Sequence, residues 1–181
     1  DGKFRILTLS RTHPIKRISY LLNKLKEMES YSIFDIEYFH IGGGIELESL
    51  KKFSNELNFK KFTVNFLGKI TDFEKKEFFK LNPVDVFLNV SSSEGTSLSL
   101  VEALSYSIPV IVTSVGGNRS IGEYCNTSID KEFSSKDLYI FFEKIITRLD
   151  YRKKLKGKSF NYWKKYHDQN IIDSQIINLF G

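Results

Sequence analysis

Two kinds of apolar run alternate along the chain. Short continuous or period-two runs at Phe4 to Leu9, Ile36 to Ile41 and Phe62 to Leu67 predict strands, and each is followed by a run with helical spacing, at Ile18 to Met28, Leu47 to Leu57 and Phe73 to Leu81. The order repeats with a strand at Val86 to Val90, a short helix at Ser97 to Tyr106 and a β-branched strand at Pro109 to Val112. Strands alternating with helices imply right-handed βαβ units, hence an α/β fold with a parallel sheet of about six strands and helices on both faces. This alternation occupies residues 4–130. Beyond it the pattern is helical only, at Lys136 to Leu149, Tyr151 to Tyr166 and Asn170 to Phe180, a C-terminal helical segment within 135–180. Phe141, Phe142, Tyr162 and Trp163 fall at helical spacing there and predict core-facing stripes. No repeat, low-complexity tract or Pro/Gly linker divides the chain, so residues 1–181 read as a single domain. A sheet of this kind binds ligands at the carboxyl ends of its strands.

Composition narrows the class. The 181 residues are 41% hydrophobic, enough for one sizeable core. The net charge of +5 comes from scattered lysine pairs, Lys51-Lys52, Lys60-Lys61, Lys75-Lys76, Lys153-Lys154 and Lys164-Lys165, most of them expected on solvated helix faces. Their functional alternative is peripheral contact with an anionic membrane. Few pairs are interleaved with exposed aromatics, so nucleic acid is not an expected partner. One cysteine, Cys125, excludes a disulfide framework, and no His/Cys group has zinc-ligand spacing. An intracellular, cytoplasmic setting without a structural metal is expected. No apolar run is long enough for a membrane span, and the start "DGKFRILTLS" lacks a secretory pattern. It also lacks Met and enters a strand at once, as a fragment of a longer protein would.

Four loops leave predicted strands on the ligand side. In "LSRTHPIKR", Arg11 and Lys16 lie five residues apart across a turn containing Pro14, and a guanidinium with an ammonium can grip a diphosphate. Two ordinary loop cations explain them equally, and His13 reads as loop surface. In "HIGGGIELESL", Gly42 to Gly44 let backbone approach a ligand, or simply make a tight strand-to-helix turn; G-x-G-x-x-G is absent. In "FLGKITD", Gly68 ends a strand, Lys69 and Ile70 follow, and Asp72 is a candidate helix cap.

The fourth loop, "SSSEGTSLSLVEAL", carries two carboxylates eight positions apart, Glu94 and Glu102. The helix that opens here presents unsatisfied amides and its positive dipole end, a seat for phosphate. A carboxylate beside such a seat is unfavourable unless neutral donors such as sugar hydroxyls reach it, which is the reading for Glu94. Glu102 falls about two turns further on, roughly 8 to 10 Å along the cleft, a distance that suits a ribose diol. Two bland readings stand beside these. Ser99-x-x-Glu102 fits a capping box if the helix starts near Ser99, and Glu94 could merely stabilise the helix dipole.

Taken in order, these loops resemble glycosyltransferase family 4, the retaining nucleotide-sugar transferases of the GT-B fold. The resemblance covers Phe4 to about Gly122. It rests on E-x(7)-E at Glu94 and Glu102 followed by "ALSYSIPVIVTSVGG", on R-x-x-P-x-K at Arg11 to Lys16, on the glycine turn and on the strand end at Gly68 to Ile70. It implies a Rossmann-like, donor-binding half of a GT-B fold, with the N-terminal acceptor domain absent from the chain. By the same resemblance Arg11 and Lys16 neutralise the donor diphosphate, helped by the amides of Gly95, Thr96, Ser97, Leu98 and Ser99. Glu94 holds hydroxyls of the transferred sugar, Glu102 the ribose, and Gly43, Gly44, Lys69 and Ile70 line the donor pocket, the last two at the base. The catalytic set is thus Glu94, Arg11 and Lys16, with no metal or other cofactor, in keeping with the lack of a D-x-D triplet. The implied partners are a nucleotide-sugar donor and a glycan or lipid-linked acceptor, in polysaccharide assembly at the inner face of the cell membrane.

Three departures mark the sequence. Glu94-Gly95-Thr96-Ser97 stands where the family often has E-G-F-G, Asn118-Arg119-Ser120 where it shows Pro-Glu, and Arg17 where a glycine commonly follows the lysine. Two other functions remain compatible: a non-catalytic nucleotide-binding regulatory module, and a nucleotide-sugar epimerase of the same fold.

Overall fold

The computed structural model describes residues 2–95 and 97–169. Six strands form one fully parallel sheet in the order β3-β2-β1-β4-β5-β6. The strands are β1 (Phe4–Leu9), β2 (Ile36–Ile41), β3 (Thr63–Gly68), β4 (Val86–Asn89), β5 (Val110–Thr113) and β6 (Ser128–Ile129). The helices are α1 (Ile18–Glu29), α2 (Leu47–Leu57), α3 (Asp72–Leu81), α4 (Leu98–Ser105), α5 (Asn118–Cys125), α6 (Ser135–Thr147) and α7 (Leu149–His167), with a 3-10 turn at Pro14–Lys16. The chain runs outward from β1 to β3, then returns to add β4 on the other side of β1. That reversal opens a crevice between the carboxyl ends of β1 and β4, where a doubly wound sheet places its ligand.

Parallel sheets are covered on both faces, and the strand sequences show why. Phe4 and Ile6, Ile36 and Tyr38, and Val86, Leu88 and Val90 join one core with Leu21, Leu22, Leu25 and Met28 of α1 and Leu138, Phe142 and Ile145 of α6. The alternate positions, Leu7, Phe39, Ile41, Phe87, Val110 and Val112, join a second core with Phe78, Leu100, Leu104 and Tyr162. Phe142 and Tyr162 are buried, while Phe141 and Trp163 pack partly buried against the same cores, as their spacing predicted.

Some elements differ from the sequence expectation. β6 has two residues and α5, "NRSIGEYC", is a polar eight-residue helix burying only Asn118, Ile121, Gly122 and Cys125. Neither offers a long enough apolar period to be read. Asp72 is not the cap of α3: Thr71 is, and it exchanges hydrogen bonds with Glu74 in a capping box, as Ser134 and Asp137 do for α6. The third C-terminal helix expected at Asn170 to Phe180 lies outside the described residues.

Glu29, at the end of α1, fastens the loop that leads into β3. One carboxylate oxygen accepts the amides of Lys60, Lys61 and Phe62 at 2.7, 2.6 and 2.9 Å, and the other accepts Lys26 Nζ at 2.6 Å. Burial works against the charged form, but Lys26 and the three amides prevail and hold the acid at about 2. A depressed folded-state value contributes stability above the unfolded value, here 4.5, and loses it as pH falls from there towards 2. Glu29→Gln is expected to cost about 2 to 3 kcal/mol at pH 7, since it removes a charged acceptor shared by four donors. Urea denaturation of both proteins at pH 7 and pH 3 checks this, with the difference shrinking at the lower pH.

Candidate functional site

The β1 and β4 loops meet at the crevice. The 3-10 turn places Lys16 over the carboxyl end of β4, and Lys16 Nζ donates to Glu94 Oε2 at 2.6 Å. Ser91 Oγ donates to the same oxygen at 2.8 Å and Asn89 Nδ2 approaches it at 3.5 Å. No described residue donates a hydrogen bond to Oε1. Glu94 is therefore gripped on one oxygen, with its side chain 11% exposed, while the other oxygen retains its acceptor capacity. Sequence reasoning did not single out Asn89 and Ser91; the signal is two polar residues closing an otherwise apolar buried strand. Asn89 Oδ1 also accepts the Ser91 amide, and Thr113 of β5 donates to the Ser91 carbonyl at 2.7 Å, so the loop's start is tied to two strands.

Two open clefts share Leu9, Ser10 and Arg11 in their linings. One, of about 440 Å³, is lined by Lys16, Glu94, Ser97, Leu98 and Ser99. The other, of about 470 Å³, is lined by Gly42, Gly43, Gly44, Lys69, Ile70 and Lys75. Arg11 is exposed on the ridge between them and hydrogen-bonds no described residue. Together the clefts cross the carboxyl ends of β1, β2 and β3 and the start of α4. The structure thus brings the predicted residues Arg11, Lys16, Gly43, Gly44, Lys69, Ile70, Glu94, Ser97, Leu98 and Ser99 onto one surface. Gly95 is exposed beside Glu94. Thr96 lies outside the described residues.

Helix α4 begins at Leu98 with Ser97 as its N-cap residue, and no side chain caps it. Ser97 Oγ lies 3.1 Å from Ser99 Oγ. The capping-box reading of Ser99 and Glu102 does not hold, because Ser99 is already inside the helix. Glu102 points instead to α3, where Lys75 Nζ donates to its Oε1 at 2.8 Å and its Oε2 at 3.0 Å. Lys75, one of the lysines expected on a solvated face, is only 19% exposed. Burial weighs against its ammonium, but the bonds to Glu102 and Asp72 outweigh it and raise its value above the usual one.

Close backbone approach demands glycine at the points that shape the site, Gly42 and Gly116 among them. A Cβ on Gly42, which has φ +135°, would lie 1.9 Å from the Ser10 carbonyl oxygen. The glycine turn therefore serves first to seat the β2 loop against the β1 loop, with the Thr12 amide donating to Gly43 O at 2.9 Å. Gly116 has φ +47°, and a Cβ there would lie 1.8 Å from Glu94 O. The Gly117 amide donates to that oxygen at 3.1 Å, so the paired glycines after β5 fix the backbone of Glu94. The unusual run Asn118-Arg119-Ser120 simply opens α5, with Asn118 buried and the other two exposed.

Arg17 occupies the left-handed region at φ +55°, which explains why glycine suits the position after the lysine. Here the side chain supplies compensation: it donates to Lys131 O and Glu132 and stacks 4.0 Å above the Tyr20 ring. Its charge points away from the cleft.

The sequence model of the family described as glycosyl transferases group 1 matches residues 1–155. The chain belongs to this family. It is 34% identical over 116 residues to the O-antigen biosynthesis glycosyltransferase WbnH of Escherichia coli, an alignment covering 64% of this chain and 30% of that protein. It is 29% identical over 164 residues to protein CapJ of Staphylococcus aureus, covering 89% of this chain and 34% of that one. The chain thus spans about a third of the length of these relatives. Among solved structures, Anabaena HepE in complex with UDP superposes with a TM-score of 0.79 at 18% identity, over 99% of this chain and 49% of that chain. The catalytic domain of the Helicobacter pylori cholesterol-α-glucosyltransferase superposes with a TM-score of 0.74 at 18% identity, over 90% and 98%. These likenesses establish the Rossmann-like domain of GT-B glycosyltransferases for this group 1 chain. Among the described residues no helix is long and apolar enough to cross a membrane, and no group of His, Cys, Asp or Glu is placed to hold a metal ion.

Proposed function

We propose that the chain is the donor-binding domain of a retaining glycosyltransferase that moves a sugar from a nucleoside diphosphate to a glycan or lipid-linked acceptor. The observation that carries the reading is the convergence of Arg11, Lys16, the uncapped start of α4 and Glu94 on one crevice at the switch point of the sheet. The diphosphate lies between Arg11, Lys16 and the α4 amides, where fixed positive charge and helix-terminal N–H groups favour an anion. The base lies in the neighbouring cleft over Lys69 and Ile70, with Gly43 and Gly44 beneath, and Glu102 accepts the ribose hydroxyls. The sugar reaches Glu94, whose free oxygen accepts its hydroxyls.

Retention follows from attack by the acceptor on the face the leaving group vacates. The domain's contribution is preorganised positive charge under the departing diphosphate, the kind of term that dominates such reactions. No step in this scheme calls on a metal. The acceptor is held by a second domain, and the setting is cytoplasmic, at the inner face of the membrane.

Calorimetric titration of the chain with UDP, GDP and ADP tests the donor site, with UDP first because the Anabaena HepE structure holds it. One nucleotide is expected to bind, and Glu102→Ala to weaken it about ten- to a hundredfold, the loss of a charged acceptor for hydroxyl donors. Failure of all three to bind the folded chain would remove the reading.

A further inference from the structure

Both acids of the E-x(7)-E pair are held by a lysine from a different element: Glu94 by Lys16 of the β1 loop, Glu102 by Lys75 of α3. The second pair is not adventitious surface chemistry. Lys75 contacts both carboxylate oxygens, is itself held by Asp72 one turn earlier in α3 at 3.1 Å, and lines the cleft beside Gly42 to Gly44, Lys69 and Ile70. Resting on the donor-site reading above, we infer that Lys75 is a positioning residue for ribose recognition: it fixes the Glu102 carboxylate so that its remaining lone pairs face the 2′- and 3′-hydroxyls.

The chemistry supports a specific division of labour. An ionised carboxylate offers about four lone-pair directions, so two bonds from one ammonium leave capacity for a vicinal diol. Unpaired, the same carboxylate would be free to rotate about its side-chain torsions and would place an uncompensated negative charge beside an anionic nucleotide. The clefts are lined by Arg11, Lys16, Lys69 and Lys75 and by one carboxylate, Glu94, so Lys75 also adds to the positive charge that meets an anionic nucleotide. Lys75 therefore acts on affinity through two routes, charge balance and orientation of Glu102, and only the second depends on the ribose hydroxyls.

The test separates these routes. UDP, GDP and ADP, each beside its 2′,3′-dideoxy counterpart, are titrated into the wild-type chain, Lys75→Met, Lys75→Arg and Glu102→Gln. For the nucleotide that binds, the wild type is expected to prefer the ribose form at least tenfold. Lys75→Met is expected to reduce that preference below about threefold, Lys75→Arg to restore most of it, and Lys75→Met placed on Glu102→Gln to change the preference little. A Lys75→Met chain that keeps the full preference overturns the inference. So does one that loses the ribose and dideoxy forms equally, which would leave Lys75 a role in charge or packing alone. If Lys75→Met does not fold, an undiminished ribose preference in Glu102→Gln overturns the inference instead, since Lys75 acts through Glu102. Failure of every nucleotide to bind the folded wild type would remove the donor site itself, and this inference with it. Binding with an intact Glu102→Ala effect but no Lys75 effect would remove only the inference.

Discussion

Glu94→Gln in the full-length enzyme is expected to lower sugar transfer at least a hundredfold while leaving the affinity for the bare nucleoside diphosphate unchanged or improved. Both halves follow from the geometry. The carboxylate accepts from Lys16, Ser91 and Asn89 on Oε2, and in the proposed donor site its Oε1 is the oxygen that meets the sugar. An amide replaces one oxygen with a donor, so either the lysine faces an NH2 group or the sugar does. Losing one preorganised group of this kind typically costs two to three orders of magnitude in turnover. In the proposed site the bare diphosphate makes no use of Glu94, and in the empty cleft that acid holds Lys16. Steady-state transfer and calorimetry on the same preparation read the two effects separately. Unchanged transfer would favour the regulatory-module reading of the chain.

Lys16→Met has the second large effect, and in the opposite place. It removes the ammonium proposed to meet the diphosphate and leaves the mostly buried Glu94 carboxylate without its cationic partner where an anion must bind. Stranding one partner of a mostly buried pair costs more than the pair contributes. Nucleoside diphosphate affinity is expected to fall about a hundredfold or more. The double variant Lys16→Met with Glu94→Gln is expected to regain about tenfold of that binding and none of the transfer, because the pair is coupled. Additive losses in the double variant would show that the two side chains act independently, against the 2.6 Å contact.

The sheet was legible in the sequence because its strands are short apolar runs buried on both faces, such as "VFLN" and "VIVT", set between helices of clear period. β6 and α5 were not, since two residues and a polar octet carry too little pattern to separate from a loop. Within the site, Arg11, Lys16 and Glu94 could be named because charged residues at strand ends are chemically conspicuous. The partners that orient them were silent. Asn89 and Ser91 look like ordinary strand-end polars, and Lys75 looks like half of a surface lysine pair until α3 is packed against α4. The glycines illustrate a different gap. The sequence left ligand approach and a tight turn equally open for Gly42 to Gly44, and Gly42, like Gly116, is needed because neighbouring backbone, Ser10 and Glu94 respectively, already fills the space of a Cβ. Arg17 shows the converse, a left-handed position filled by a residue whose cost is met by Tyr20, Lys131 and Glu132.

Whether a nucleoside diphosphate sits across the carboxyl ends of β1 to β4, as proposed, is decided by amide-resolved NMR titration of the chain with UDP, GDP and ADP. Saturable shifts are expected for one nucleotide, concentrated at residues 10–17, 42–44, 68–70 and 94–102, with the largest at the start of α4. Shifts confined to the lysines of α7, or no shifts from a folded chain, would contradict the proposal.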